Sequence, residues 1–239
     1  MNPTIARLGL RAVLGRRRGI LLFVLPAVLL LVAAVVRALA GADPATANDV
    51  LVQLGLRVVL PLAALIASSS VLAPEIDDGS IAYLLAKPIP RLSLTCSKLL
   101  VAIGCTVVCA ALPILVAALV LATGTSGMAL AYGVGALAGG AAYCALFLWL
   151  SSLTRHAVVI GLIYVLLWEG LVGNLLAGVR WVSITRWSEA IAGAVSEHVH
   201  VAPPHLSVLY AVLATLVVLV GMALLATRRL QGFNLTGDE

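Results

Sequence analysis

Long apolar runs broken by short polar punctuation dominate the chain. A helix needs about 20 apolar residues to cross the hydrocarbon of a bilayer, and the runs are of that order. The first extends from Ile20 to about Ala40, with Arg37 near its end, and the second from about Val50 to Ala73, with Arg57 inside it. From Leu99 to Thr154 there is no charged residue. That stretch is too long for one helix, and the small-residue segment Thr123–Gly127 divides it into a third and a fourth span. A fifth run covers His156 to about Ala177, and a sixth covers Leu206 to Thr227. The pattern predicts an all-α polytopic membrane protein with six transmembrane helices and both termini on one side. Pro26, Pro61 and Pro113 fall inside spans, where each removes a backbone hydrogen bond and can kink a helix.

Composition agrees with this pattern. The chain is 62% hydrophobic and 10% charged, whereas soluble domains carry roughly 25% charged residues. No polar stretch is long enough to form a second, water-soluble domain, so residues 1–239 read as one transmembrane domain. The net charge of +5 does not indicate a nucleic-acid partner, because the basic residues gather at the ends of the apolar runs, where they orient a membrane protein. Eleven of the 15 Lys and Arg residues lie at Arg7, Arg11 and Arg16–Arg18, between the second and third spans, at Arg155, and at Arg228 and Arg229. The other four are Arg37, Arg57, Arg180 and Arg186. The excess of positive charge places the first group in the cytoplasm. Both termini and the loop over residues 74–98 are then cytoplasmic, the loop over 178–205 is external, and the expected location is the cell (plasma) membrane. Arg16–Arg18, the first run and Ala38-Leu39-Ala40 also resemble a cleaved signal peptide. The run exceeds the usual ~7–15 residues, however, and further spans follow it.

Residues 1–18 read as a short interfacial helix on the inner leaflet, with Ile5, Leu8 and Ala12 on one face and Arg7, Arg11 and Arg18 on another. A basic flank that only sets topology explains the same residues. In the external loop, Trp181 and Trp187 are placed like interfacial anchors. One or two amphipathic helices resting on the outer surface fit its length.

Candidate chemistry is sparse. There is no Walker A pattern, GxxxxGK[ST], to cradle ATP. The cysteines Cys96, Cys105, Cys109 and Cys144 show neither a disulfide framework nor a metal spacing. Glu197, His198, His200 and His205 match no standard zinc pattern, so neither a metal site nor a catalytic group is expected. Gly135-x-x-x-Gly139 suits close helix packing. An ionised carboxylate inside a span is costly and usually faces a cavity or a partner, which singles out Glu169, with Asn174 a turn beyond it. At 1.5 Å per residue Glu169 lies about 21 Å along the fifth span from Arg155, and Arg57 about 27 Å along the second from Glu75. These similar depths predict that Arg57 and Glu169 pair or line one outer vestibule.

The densest polar segment is Glu75–Lys98. Glu75-Ile-Asp77-Asp78 places acids where a helix start favours them, Ile81, Leu84 and Leu85 give an apolar face, and Lys87-Pro88-Ile-Pro90 ends the element. A short amphipathic helix offered to the cytoplasm suits docking into a groove on a partner.

This segment resembles the membrane subunits of type-2 ABC exporters. The family pattern stands here as Glu75, Gly79-Ser80, Leu84-Leu85, Lys87-Pro88-Ile89-Pro90-Arg91 and Lys98. The resemblance extends to the six-span layout, the basic N-terminal helix and Tyr164-Val-Leu-Leu-Trp168-Glu169. It implies a permease that is itself no enzyme and carries no cofactor, paired with a second permease copy or a paralogue and with two ABC ATPase subunits that bind ATP and Mg. Residues 74–98 would be the coupling loop seated on the ATPase. A hydrophobic or amphipathic substrate would leave between the permeases, near the second and fifth spans. A non-transporting membrane scaffold or regulatory anchor that recruits a cytoplasmic partner through the same loop is the alternative.

Overall fold

The computed structural model of the chain describes residues 17–41, 43–77, 91–122, 126–154, 156–172, 181–197, 199 and 206–231, which form helices and short connections only. Helix α1 is Arg17–Ala40. Helix α2 comprises Pro44–Val50, Leu51–Val59 and Leu60–Asp77 in continuous succession. Helix α3 comprises Arg91–Thr106, Val107–Ala111 and Leu112–Leu121. Helix α4 is Ser126–Leu153, α5 comprises Ala157–Ile163 and Tyr164–Val172, α6 is Ile184–Val195, and α7 is Val208–Gln231. Five of these helices contain stretches long and apolar enough to cross a membrane: Leu22–Ala40, Pro44–Val71, Leu92–Leu121, Gly127–Leu153 and Val208–Arg229. The described part of α5 contributes a shorter apolar stretch, Ala157–Gly170.

Helix α4 is the central element, packing against α2, α3, α5, α6 and α7. Its alanines and glycines let neighbouring backbones approach closely, the usual basis of helix association where lipid removes the hydrophobic drive. Contacts along it set the direction of each neighbour. Asn48 meets Tyr132, Leu60 meets Gly139 and Gly140, and Ser68 meets Cys144, so α2 runs parallel to α4. Leu115 meets Gly133 and Thr106 meets Gly140 and Cys144, so α3 runs antiparallel. Buried hydroxyls satisfy themselves on carbonyls four residues back, as in Thr106 to Ala102 and Ser151 to Phe147, which lets polar residues sit in apolar helices. The peripheral helices α1 and α7 turn wide apolar faces outward, among them Phe23, Val28 and Leu31, and Leu209, Leu213 and Val217.

Three stretches, Leu51–Val59, Val107–Ala111 and Tyr164–Val172, are π-helical. At the ends of the first two, the Leu60 N–H donates to the Gly55 carbonyl and the Leu112 N–H to Val107, five residues back. Pro61 and Pro113 each follow two residues after such a stretch. A proline offers no N–H to the carbonyl four residues earlier and its ring crowds that carbonyl, so the preceding turn widens into the i→i−5 pattern. Pro61 and Pro113 therefore mark widened turns, whereas Pro26 lies within the α-helical α1.

Two expectations need correction. Glu75 and Asp77 do not open a new helix, because the backbone of α2 continues through Asp77 past Pro74. Pro74 forfeits one bond without ending the helix. The helix in the 178–205 loop does not rest on a surface either. It is α6, whose Thr185, Trp187, Ser188, Glu189 and Ala192 are buried within the bundle. Residues 1–16, the segment from Asp78 to Pro90, and Asn174 lie outside the described residues. The interfacial helix and most of the coupling segment are therefore not part of the described structure.

Candidate functional site

Helix α6 lies antiparallel along the N-terminal half of α4. Thr185 Oγ1 is 2.9 Å from Tyr143 Oη, Ser188 and Ala192 face Gly135, and Ser196 faces Gly127. A methyl group on Gly135 would stand 2.6 Å from the Ser188 carbonyl oxygen and 3.1 Å from the Ala192 methyl. Gly139 faces the Ser188 side chain and Leu60. The two glycines thus form the groove that admits α6.

Helix α6 starts beside Glu169 of α5. Ser183 caps it, accepting from the Arg186 N–H. Ser183 Oγ donates to Glu169 Oε2 at 2.5 Å, and the Ile184 N–H donates to Glu169 Oε1 at 3.0 Å. The carboxylate is buried and lies where the α6 dipole favours negative charge. Both of its oxygens are occupied, which is how a span carboxylate survives desolvation.

The other end of the polar system is Glu189 of α6, 2% exposed. Its Oε2 receives Arg186 Nη1 at 2.9 Å and its Oε1 receives Arg57 Nη2 at 3.4 Å. Arg57 Nη1 also donates to Gln53 Oε1 at 2.9 Å, one turn earlier on α2. Among the described residues Arg57 therefore pairs with Glu189, and Glu169 with the start of α6. Arg57 and Glu169 nevertheless line the same pocket, of about 320 Å³, between α2 and α5. Gln53, Val58 and Leu62 complete the α2 wall, and Leu162, Val165, Leu166 and Gly170 the α5 wall. Both polar residues sit in π-helical stretches, where widened turns are common at functional sites.

Other residues singled out in the sequence have different settings. Lys98 is buried, and its Nζ donates to the Val71 carbonyl at 3.3 Å, tying α3 to α2. Glu75, Asp77 and Arg91 lie on described helix backbone at the ends of α2 and α3. Asp78, Gly79, Leu84, Leu85, Lys87 and Pro88 lie outside the described residues. Trp187, expected as an anchor, is buried, and its Nε1 donates to the Trp181 carbonyl. Trp181 is exposed and meets Tyr210 edge-on, with centroids 5.5 Å apart. No cluster of metal-ligand residues occurs among the described residues.

The family described as ABC-2 family transporter protein matches residues 4–231. The chain belongs to the ABC-2 transporter family. No curated protein matches it. As an ABC-2 permease the chain is a multi-pass membrane subunit of an ABC transporter, the kind of subunit that partners ABC ATPases and is not itself catalytic. In this ABC-2 protein the residue that sequence reasoning missed is Glu189. Its signal was present: a serine at the N-cap position, apolar residues at Ile184, Trp187 and Ile191, and a basic–acidic pair three apart at Arg186 and Glu189, a spacing that pairs on a helix.

Proposed function

We propose that this ABC-2 permease is the membrane half of an ATP-driven exporter, and that substrate passes along the α2–α5 pocket. The observation that carries the reading is the pocket itself. It is a cleft within the bundle that combines an apolar wall with a few charged groups, as small-molecule sites do, in a chain whose family moves molecules across membranes. In this reading α5 is one of six crossings, as the apolar run from His156 to about Ala177 favours. Both termini and residues 74–98 face the cytoplasm, as the distribution of Lys and Arg favours. Two permeases, identical or paralogous, join two ATPases that bind ATP and Mg, and residues 74–98 seat on the ATPase. ATP drives the permease only through a difference in how its two states bind the ATPase.

The test is co-purification of the tagged chain from its native locus, followed by an ATPase assay, with Glu75→Ala and Arg91→Ala alongside. An ATPase that co-purifies, with association or activity weakened by either substitution, is the expected result. Recovery of the permease with no ATPase overturns the exporter reading and favours a membrane scaffold.

A further inference from the structure

Resting on the reading of the α2–α5 pocket as a transport path, we infer that the pocket selects single-chain amphiphiles with an anionic head group, and that Arg57 holds the head. Two formal charges line the pocket, Arg57 and Glu169, and Glu189 reaches Arg57 from α6. Both oxygens of Glu169 are taken by Ser183 Oγ and the Ile184 N–H. Both oxygens of Glu189 are taken by arginines, Arg186 more closely at 2.9 Å. Glu169 is thus held by the start of α6, where the helix dipole suits its charge, and Glu189 by two guanidinium groups. Arg57 differs. A guanidinium has five N–H donors, and among the described residues Arg57 uses two. One goes to the neutral amide of Gln53, and the other spans 3.4 Å to Glu189, long for a charge-assisted bond. Its side chain is 19% exposed, on the pocket wall. Donors without acceptors in an apolar surrounding are costly, so a carboxylate, sulfate or phosphate oxygen delivered there gains most.

The rest of the pocket supplies the tail site. Leu65 of α2 packs against Gly161 of α5, while Arg57 and Glu169 share the pocket, so the two helices run antiparallel. The polar residues thus gather at one end, and Leu62 and Leu162 lie toward the other. An amphiphile aligned with the helices meets Arg57 with its head and leucines with its chain. The volume of about 320 Å³ is at the lower end of the ~300–1,000 Å³ typical of small-molecule sites, which suits one chain and not two.

The test uses the full chain in phosphatidylcholine nanodiscs and binding of radiolabelled dodecyl phosphate. Unlabelled dodecyl phosphate is expected to displace the label at a concentration lower than dodecyltrimethylammonium by on the order of tenfold, the worth of one hydrogen bond to a charged group. Arg57→Gln should abolish the preference and Arg57→Lys should retain most of it. Leu62→Trp, which leaves every charge in place, should weaken binding by filling the tail end, and it serves if Arg57→Gln does not fold. Equal or better displacement by the cation overturns the inference. So does an anion preference that survives Arg57→Gln, or wild-type binding by Leu62→Trp. Nanodiscs doped with phosphatidylglycerol separate the sources. Unchanged binding supports a single-chain ligand, and competition by this diacyl lipid overturns that size assignment. None of these measurements involves ATP. A permease that binds the anion but recruits no ATPase keeps this inference and loses the exporter reading, and the opposite pattern does the reverse.

Discussion

Glu189→Gln is the most informative single change to the polar system. The substitution keeps the shape of the side chain and removes the charge that two arginines share, at 2.9 Å from Arg186 and 3.4 Å from Arg57. Breaking a buried ion pair by removing one partner costs about 3–5 kcal/mol, because the remaining charge is left uncompensated. Here the arginines are 11% and 19% exposed, so water screens part of the loss and about 2–3 kcal/mol is expected. For a chain of this length 1 kcal/mol moves the thermal midpoint by about 2–4 °C, which gives a fall of about 4–12 °C. Fluorescence-detected size-exclusion chromatography after heating in detergent reads that shift directly. Arg57→Gln should cost less, since Glu189 keeps its shorter bond to Arg186. The double variant should then be less destabilised than the sum of the two, by about 0.5 kcal/mol or more, as contacting partners behave. A Glu189→Gln midpoint within about 2 °C of wild type, or strict additivity with Arg57→Gln, refutes the network as a stabilising unit.

Three further outcomes follow from the geometry. Gly135→Ala should cost about 1–3 kcal/mol in the same thermal assay, because its methyl meets the Ser188 backbone oxygen at 2.6 Å, whereas Gly104→Ala, with nothing within 4 Å, should be neutral or slightly stabilising. Glu169→Gln should loosen the first turn of α6 by weakening its bonds to Ser183 Oγ and the Ile184 N–H, which hydrogen exchange over Ile184–Trp187 would show as faster labelling, with α4 unaffected. At the start of α2, Asp43 accepts from Thr46 Oγ1 at 2.6 Å and the Thr46 N–H at 3.0 Å. The Thr46 side-chain bond, then its backbone bond, holds the Asp43 carboxyl below its ordinary range. The cap is therefore fully present above the unfolded carboxyl value of about 3.9 and lost as pH falls through the lower folded value. Asp43→Ala should speed exchange at Ala45–Ala47 at neutral pH and remove that acid sensitivity, and Asp43→Asn should preserve the cap at neutral pH.

Five of the six expected spans were legible because crossing a bilayer demands length and apolarity together, and both can be counted along a chain. The shared pocket of Arg57 and Glu169 was legible for a related reason, since a fixed rise per residue converts sequence position into depth. Partner choice was not legible. Depth alone puts Arg57 opposite Glu169, but a second acid, Glu189, reaches Arg57 from a helix that sequence reasoning left on the surface. That error has a specific origin. The 178–205 segment is too polar to be a span and carries good helix signals, so a surface helix was the natural reading. What draws α6 into the bundle is the groove at Gly135 and Gly139, more than 40 residues earlier in the chain. Trp187 went the same way, because an aromatic near a span end looks like an anchor until its indole N–H has an internal acceptor. The π-helical turns left a trace only in Pro61 and Pro113, while the stretch around Glu169 has no such marker.

The two carboxylates give the pocket a mechanical asymmetry. Glu169 fixes the start of α6 to α5 through bonds of 2.5 and 3.0 Å, while α6 holds α2 through the 3.4 Å contact between Glu189 and Arg57. Any widening of the pocket separates α2 from α5 and must break one of these links. The Glu169 link is shorter and joins a charge to a helix start. The Arg57 link is longer, and Gln53 on the same helix still holds the arginine once it is released. Opening should therefore leave α6 with α5 and carry α2 away. The guanidinium would then leave Glu189 for the widening pocket, where an anionic head replaces that partner.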